Sequence, residues 1–333
     1  MHKEWTADDV LELARGYQAA CVLAAAAELD LFSILADGSL SATDVVNKLG
    51  TDLRATTILL DALAALGFTE KRNGLYFLPA GTARVLREGG AGSVLGMVQH
   101  QANCMRRWAQ LARVVQTGRS AERQPSVRGE ADDEAAFIGA MDVVSAPVAS
   151  GLIEEVGPPA FKHVLDVGGA SGTWTIALLR AQPGATATLF DLPHVIPMAQ
   201  RRICEAGMSD RVKLVAGDFL HDPLPPGADL AWVSAIVHQN SRKQNRCLFS
   251  ALAKALRDDG EILIRDVLMD DSRTSPATGA LFAINMLVAT DAGGTFTFDE
   301  LREDLEAAGF VEVAVLRRDQ GMNSIIHAVR GRD

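Results

Sequence analysis

Residues 163–179 read HVLDVGGASGTWTIALL. An apolar run, His163 to Val167, feeds a glycine-rich turn, and the apolar residues beyond it recur at helical spacing. The stretch therefore predicts strand, tight turn and helix. The same texture repeats downstream: TATLFDL, RVKLVAGDF, DLAWVSAIV and EILIRDVL are strand-like, with helical segments between them, and VEVAVLR and NSIIHAVR follow near the end. Alternating β and α segments predict an α/β fold with a doubly wound, mostly parallel sheet. The last two strands are too close for a crossover helix and are expected to pair antiparallel.

In such sheets ligands bind at the carboxyl ends of the strands, beside the switch in strand order. A nicotinamide fingerprint needs G-x-G-x-x-G, whereas from Gly168 the chain reads G-G-A-S-G-T, and the G-K-[ST] of a phosphate loop is absent. What remains is D-x-G-G-x-x-G, led by Asp166. An acid there repels a pyrophosphate but can serve a ligand bearing an ammonium or sulfonium. Asp191 ends the next strand, where a carboxylate can accept both hydroxyls of a ribose. Asp218 follows the third strand, placed to accept from an exocyclic amine, with Phe219 as an apolar wall for a purine. One strand-end aspartate is equally well read as a cap on a turn or helix. The set in register describes a site for a cationic nucleoside, and S-adenosylmethionine fits it.

With 333 residues, 48% hydrophobic and 22% charged, the chain holds enough core material for about two domains. A net charge of −10, with bases interspersed among acids, works against nucleic acid and anionic lipid. Cys21, Cys104, Cys204 and Cys247 are far apart and form no C-x-x-C pair, so reduced thiols are expected. MHKEWTADDVLEL has no apolar run behind a basic start, and AACVLAAAAELDLF carries two acids and is shorter than a membrane span. A cytoplasmic protein without a membrane partner is expected.

Near the start, residues 7–27 predict a helix, residues 43–49 a second one capped by Thr43 and ended by Gly50, and Asp52 to Gly67 a third. FTEKRNGLYFLP predicts a hairpin around Asn73-Gly74. Three helices and a hairpin form a winged-helix pattern. The third helix carries only Arg54 as a base, which favours dimerisation over DNA binding. Residues 91–117 and 131–156 predict further helices around the polar GRSAERQPSVRGEADD. Three parts follow: a dimerisation domain at 1–90, a helical linker at 91–157 contributing to the substrate pocket, and a cofactor-binding domain at 158–333.

LDVGGASG, LFDLPHVI, AGDFL and AIVHQNS, in that order, resemble the S-adenosylmethionine-dependent O-methyltransferases of the caffeic-acid and hydroxyindole type. The resemblance covers essentially the whole chain. It implies a class I methyltransferase Rossmann-like fold behind a winged-helix dimerisation domain, a homodimer through that domain, and methyl transfer to a hydroxyl of a small aromatic specialised metabolite. It also implies that Gly168 and Gly169 approach the methionine part of the cofactor, that Asp191, with Leu192 beside it, holds ribose, and that Asp218 and Phe219 hold adenine. Ser234 falls where many relatives place a lysine near the cofactor.

His238 follows the fourth strand, and a histidine there can take the proton of an acceptor hydroxyl. Asp266, at the end of the fifth strand, can orient it. Relatives usually read H-D-W, whereas this chain reads His238, Gln239, Asn240, and Thr295 stands where they carry a second glutamate. With one carboxylate partner left, either the acceptor is intrinsically acidic or the histidine serves another step. The same fold also supports N- or C-methylation, hydroxylation or decarboxylation without methyl transfer, and a metabolite-sensing regulator remains the reading from another class. MDD at 269–271 offers adjacent acids but no clustered ligands, so no metal is expected. The acceptor pocket is expected between the two domains, with Trp108, Phe137, Met141, Met286 and Leu287 as lining residues that fit a plain core equally well. Asp291 falls where relatives often bind the acceptor.

Overall fold

The computed structural model describes residues 4–90 and 92–332. One compact unit holds the described residues up to Arg107 together with Arg123–Val143, and the other holds Trp108–Glu122 together with Val144 onward. The expected linker is therefore shared between them.

The first unit opens with α1 (Ala7–Arg15), begun by a capping box in which Thr6 and Asp9 satisfy each other's backbone N–H groups. It continues with α2 (Tyr17–Glu28), α3 (Leu31–Ala36), the short β1 (Leu40–Ser41) and α4 (Ala42–Leu49). The cap of α4 is Ser41 rather than Thr43: Ser41 has extended backbone and pairs with Asp44 at the third helical position, so the helix starts a residue earlier than expected. Gly50, left-handed at φ 67, ends it. Asp52 caps α5 (Leu53–Ala65), accepting from the Ala55 N–H at 2.8 Å. Then β2 (Glu70–Arg72) and β3 (Leu75–Phe77) form the expected hairpin, with φ of 51 at Asn73 and 79 at Gly74. With β1 they make a sheet of order β1-β3-β2, over a core of Leu31, Phe32, Leu60, Leu63 and Tyr76. The helices α6 (Ala80–Leu86) and α7 (Leu95–Trp108) follow. The apolar stretch near the start is longer than its sequence suggests, because Gly16 keeps helical backbone between α1 and α2. By length and composition alone, Ala7–Glu28 and Glu130–Val156 are long and apolar enough to cross a membrane. Val10, Leu11, Leu13 and Tyr17 are exposed.

The second unit contains α8 (Leu111–Thr117), the later half of α9 (Glu130–Val156) and a seven-stranded sheet. Its elements are β4 (His163–Val167), α10 (Thr173–Ala181), β5 (Thr186–Asp191), α11 (Ile196–Glu205), β6 (Val212–Ala216), β7 (Ala228–Ser234), α12 (Arg242–Ala255), β8 (Leu256–Asp266), β9 (Leu268–Met269), α13 (Ala277–Ala289), β10 (Phe296–Thr297), α14 (Phe298–Glu306), β11 (Phe310–Arg317) and β12 (Ser324–Arg330). The large sheet runs β11-β12-β8-β7-β4-β5-β6. β4 to β8 are parallel, while β12 pairs antiparallel with both β8 and β11. From β4 the chain winds outward through β5 and β6 and then returns to lay β7 on the other side of β4, so the switch in order falls at the carboxyl end of β4.

Each face of the sheet is sealed. Leu165, Val167, Val233, Ile262 and Ile264 pack with residues of α12 and α14 on one side. Val164, Leu230, Trp232 and Leu263 pack with residues of α9 and α10 on the other. β11, the outer strand, pairs irregularly, with register shifts between Val311 and Ala314 and between Val315 and Arg317, and Glu312 has φ 55.

Candidate active site

At the switch point the turn after β4 is shaped by its glycines. Gly168 (φ 70) donates its N–H to the Phe190 carbonyl at 2.9 Å, and a Cβ there would lie 2.3 Å from Ile236 Cδ1. A Cβ on Gly169 would lie 2.6 Å from Leu189 Cγ. The chain's own packing therefore demands both glycines, and the turn is pressed against β5 and the segment after β7.

Asp191, at the end of β5, ties this turn down. Its Oδ2 accepts from the Ala170 N–H and its Oδ1 from the Leu192 N–H, both at 2.7 Å. Burial raises the Asp191 pKa, and those two N–H groups oppose the rise. Each oxygen keeps a further lone pair for a hydroxyl. Asp218 follows β6, accepting from the Leu220 N–H at 2.9 Å and facing His221 Nδ1 at 2.9 Å. The Leu220 bond, with the His221 contact, holds its carboxyl below the usual range. Phe219 is half-buried against the sheet core, and Leu192 is exposed. The residues fit a cationic nucleoside: glycines where the backbone must come close, then half-buried carboxylates beyond two adjacent strands.

Two residues differ from their sequence readings in surroundings. Asp166 does not face the open side of the turn; it is fully buried, and its Oδ2 accepts from Thr175 Oγ1 at 2.5 Å. Burial above all, with the Asp191 charge adding to it, pushes its pKa up to about 7. Ser234 is buried, and its hydroxyl accepts from Arg265 Nη1 at 3.1 Å. Arg265, which the sequence did not single out, lies over the Trp174 ring at 4.5 Å and donates to Asn323 Oδ1 at 2.9 and 2.6 Å. Burial lowers its pKa to about 10.

His238 sits on a short 3-10 turn, Val237–Gln239, directly after β7. Its Nδ1 lies 2.8 and 3.0 Å from the two carboxyl oxygens of Asp266, and the Val267 N–H also donates to Asp266, at 2.7 Å. A carboxylate only accepts, so the proton is assigned to Nδ1 and the Nε2 lone pair is free to take another. Among the described residues Nε2 has no partner. Phe282, on α13, meets the imidazole edge-on, ring centroids 4.8 Å apart.

The turn itself is pinned from three directions. Asn245 Nδ2 donates to the Val237 carbonyl at 3.0 Å, Asn240 donates to Asn245 Oδ1 at 3.1 Å, and the Gly294 N–H donates to the His238 carbonyl at 2.9 Å. Gln239 Nε2 donates to the Ala235 carbonyl at 3.0 Å. The residues that depart from H-D-W thus fasten the loop that carries His238. Thr295 is buried, and its carbonyl accepts from Arg273 Nη1 at 3.1 Å.

Around the expected acceptor residues, the segment around α8 is laced to α13 and to Asp291 just beyond it. Trp108 Nε1 donates to Asn285 Oδ1 at 3.0 Å, the Ala121 N–H to the Val288 carbonyl at 3.0 Å, and Ser120 Oγ to Asp291 Oδ1 at 2.8 Å. Met286 is buried, while Leu287 and Asp291 are exposed. Phe137 and Met141 belong to the first unit, where Phe137 meets the His100 ring at 5.1 Å. Burial, reinforced by Arg107, holds the His100 pKa down. Among the described residues, no group of three or more His, Cys, Asp or Glu side chains is placed to hold a metal ion.

A family model described as the O-methyltransferase domain matches residues 108–311, and one described as the O-methyltransferase dimerisation domain matches residues 11–89. The chain is 34% identical over 325 residues to a 3-hydroxy-5-methyl-1-naphthoate 3-O-methyltransferase of Streptomyces sahachiroi, spanning 96% of this chain and 94% of that one. It is 34% identical to the tetracenomycin polyketide synthesis 8-O-methyl transferase of Streptomyces glaucescens, over 92% and 91% of the two chains. The solved structure of human N-acetylserotonin methyltransferase in complex with S-adenosylmethionine superposes with a TM-score of 0.79, at 25% identity, over the full length of both chains.

Proposed function

Since the chain belongs to the O-methyltransferase family and uses S-adenosylmethionine, we propose that it methylates a hydroxyl of a small aromatic specialised metabolite, with His238 as the base. The observation that carries this reading is the 2.8 Å contact between His238 Nδ1 and Asp266, which leaves Nε2 as the proton acceptor. When bound, the cofactor supplies a methyl group on a sulfonium sulfur. Gly168, Gly169, Asp191, Leu192, Asp218 and Phe219 would hold it, with Ser234 near it.

On the protein side the steps are few. The acceptor hydroxyl gives its proton to His238 Nε2, which frees an oxygen electron pair for the methyl group that the bound cofactor would supply, its sulfur keeping the electrons of the broken C–S bond as a neutral thioether. Asp266, a positioning residue, keeps the ring in one tautomer and offsets the charge it acquires. The rest is alignment, which can supply much of the rate. An aromatic acceptor is supported by the relative named for a hydroxynaphthoate. Trp108, Phe137, Met141, Met286, Leu287 and Asp291 are the proposed acceptor-binding residues. The enzyme would work as a homodimer through its winged-helix-like N-terminal domain, and in the cytoplasm, in keeping with its four free thiols, without nucleic acid or a membrane as partner.

His238→Ala should lower kcat by roughly a hundredfold or more while S-adenosylhomocysteine binding, followed by calorimetry, stays within twofold. Unchanged turnover would remove the histidine from the proton-transfer step.

A further inference from the structure

We propose that Arg265, acting through the Ser234 hydroxyl, holds the carboxylate at the amino-acid end of the cofactor. The proposal rests on the reading that lays S-adenosylmethionine along the strand ends at Asp191 and Gly168.

Arg265 is only 4% exposed, and it stays charged at neutral pH, since burial lowers its pKa no further than about 10. A buried cation is costly unless an anion answers it. Among the described residues no carboxylate bonds to it. Its Nε and Nη2 donate to the neutral Asn323 Oδ1, and its Nη1 to the Ser234 hydroxyl. The two acids whose charges reach it, Asp266 and Asp319, are engaged elsewhere. Asp266 receives His238 Nδ1 and the Val267 N–H, while Asp319 receives Arg317 and the N–H groups of Gly321 and Asn323. The Trp174 ring, 4.5 Å from the guanidinium, holds it in place and supplies no countercharge. The pocket around this cation therefore suits an anion that the chain does not itself provide.

Ser234 extends that charge toward the ligand. Its oxygen accepts from Arg265, which leaves the hydroxyl hydrogen to be donated, and among the described residues that hydrogen has no acceptor. The guanidinium polarises the O–H and makes it a stronger donor. Strand register sets this donor in line with the glycine turn. Val167 lies opposite both Phe190 and Val233, so Asp191, Gly168 and Ser234, the next residues, stand side by side across adjacent strands, and Arg265 lies opposite Ser234 on the strand beyond. Neighbouring strands are about 4.8 Å apart, so Asp191 and Ser234 are separated by on the order of 10 Å, with Gly168 between them. A nucleoside held at Asp191 by its ribose and passing over Gly168 brings the amino-acid chain on its 5′ carbon toward Ser234. That end bears an ammonium and a carboxylate. A donor backed by a cation selects the carboxylate and repels the ammonium.

Calorimetry with three ligands tests the proposal: S-adenosylhomocysteine, its decarboxylated form, which keeps the ammonium, and 5′-methylthioadenosine, which keeps only the nucleoside and the thioether. Wild type should bind S-adenosylhomocysteine more tightly than the decarboxylated form by roughly tenfold or more, the scale of one hydrogen bond to a charged group. Arg265→Met should weaken S-adenosylhomocysteine by roughly tenfold or more and the two ligands without a carboxylate by less than about threefold, so that the gap closes. Arg265→Lys, which keeps the charge, should fall between wild type and Arg265→Met. Ser234→Ala removes only the hydroxyl and should show the same selective loss, so it carries the comparison even where Arg265→Met fails to fold. Because the two side chains act along one path, the double variant should lose less than the two single losses multiplied together. Equal losses on all three ligands, or a wild type indifferent to the carboxylate, would overturn the proposal and leave Arg265 as a brace for the loop that carries Asn323. Failure of wild type to bind either S-adenosylhomocysteine or 5′-methylthioadenosine, or an Asp191→Ala variant that binds both as wild type does, would instead overturn the placement of the cofactor on which it rests.

Discussion

Asp166 is a carboxyl that the fold obliges to keep its proton. The gap between its ordinary value of 3.8 and about 7 corresponds to about 4 kcal/mol. Below the ordinary carboxylate range both folded and unfolded chains hold the proton, and nothing is lost. As pH rises toward 7 the unfolded chain releases a proton that the folded chain retains, so stability falls, and the loss is complete once pH passes the folded value. Asp166→Asn keeps a partner for Thr175 and lacks that slope. Urea denaturation should show the variant gaining about 2–3 kcal/mol on wild type between pH 5 and pH 8, and a constant difference across that range would refute the account. Asp191→Ala should weaken S-adenosylhomocysteine binding by tenfold or more in calorimetry, because it removes both an acceptor for hydroxyls and the tie on the Ala170 N–H. The strand-end places of Asp191, Asp218, His238 and Asp266 were legible in the sequence because local pattern reveals where a strand ends, whereas the burial of Asp166 was not. Arg265 was not, because its partners, Ser234 and Asn323, stand far from it along the chain, and nor was Asn245, whose partner Val237 lies on a turn whose shape local pattern does not reveal.

The element that matters most to the proposed chemistry is the short turn Val237–Gln239. It has no ladder of its own and borrows its rigidity from Asn245, Asn240 and Gly294. Asn245→Ala leaves the Val237 carbonyl and the Asn240 amide unmatched in a buried place, which costs about 1–3 kcal/mol. The expected result is a kcat several-fold lower with KM for the cofactor little changed, and thermal unfolding combined with steady-state kinetics measures both. Gly168→Ala meets strained backbone and the Ile236 side chain at once, and should cost about 2–5 kcal/mol, lowering Tm by several degrees. At this scale the sequence reads well wherever turn chemistry is local, as at Asn73-Gly74 and Asp52. It reads less well at α4, where Ser41 and Thr43 are both good caps and the Asp44 reciprocal bond decides between them.

Across the molecule, the mostly parallel sheet followed from the alternation of strands and helices, whereas the division into units did not. Residues 108–122 fall outside the first unit because Trp108 and Ala121 find partners on α13 and Ser120 finds Asp291 just beyond it, and no composition shift marks that excursion. If the chain pairs through its N-terminal domain, the exposed Leu11 and Leu13 are natural parts of the interface. The double variant Leu11→Asp, Leu13→Asp should then sediment as a monomer where wild type sediments as a dimer, and an unchanged wild-type mass would place the contact elsewhere. The irregular β11 carries a further consequence. The outer strand of a sheet displays a free row of N–H and C=O groups that can template a neighbouring molecule. With its pairing shifted twice and Glu312 turned to a left-handed conformation, β11 offers no straight row to copy, so crowded copies of the protein meet a frayed selvedge that will not knit into a growing fibril.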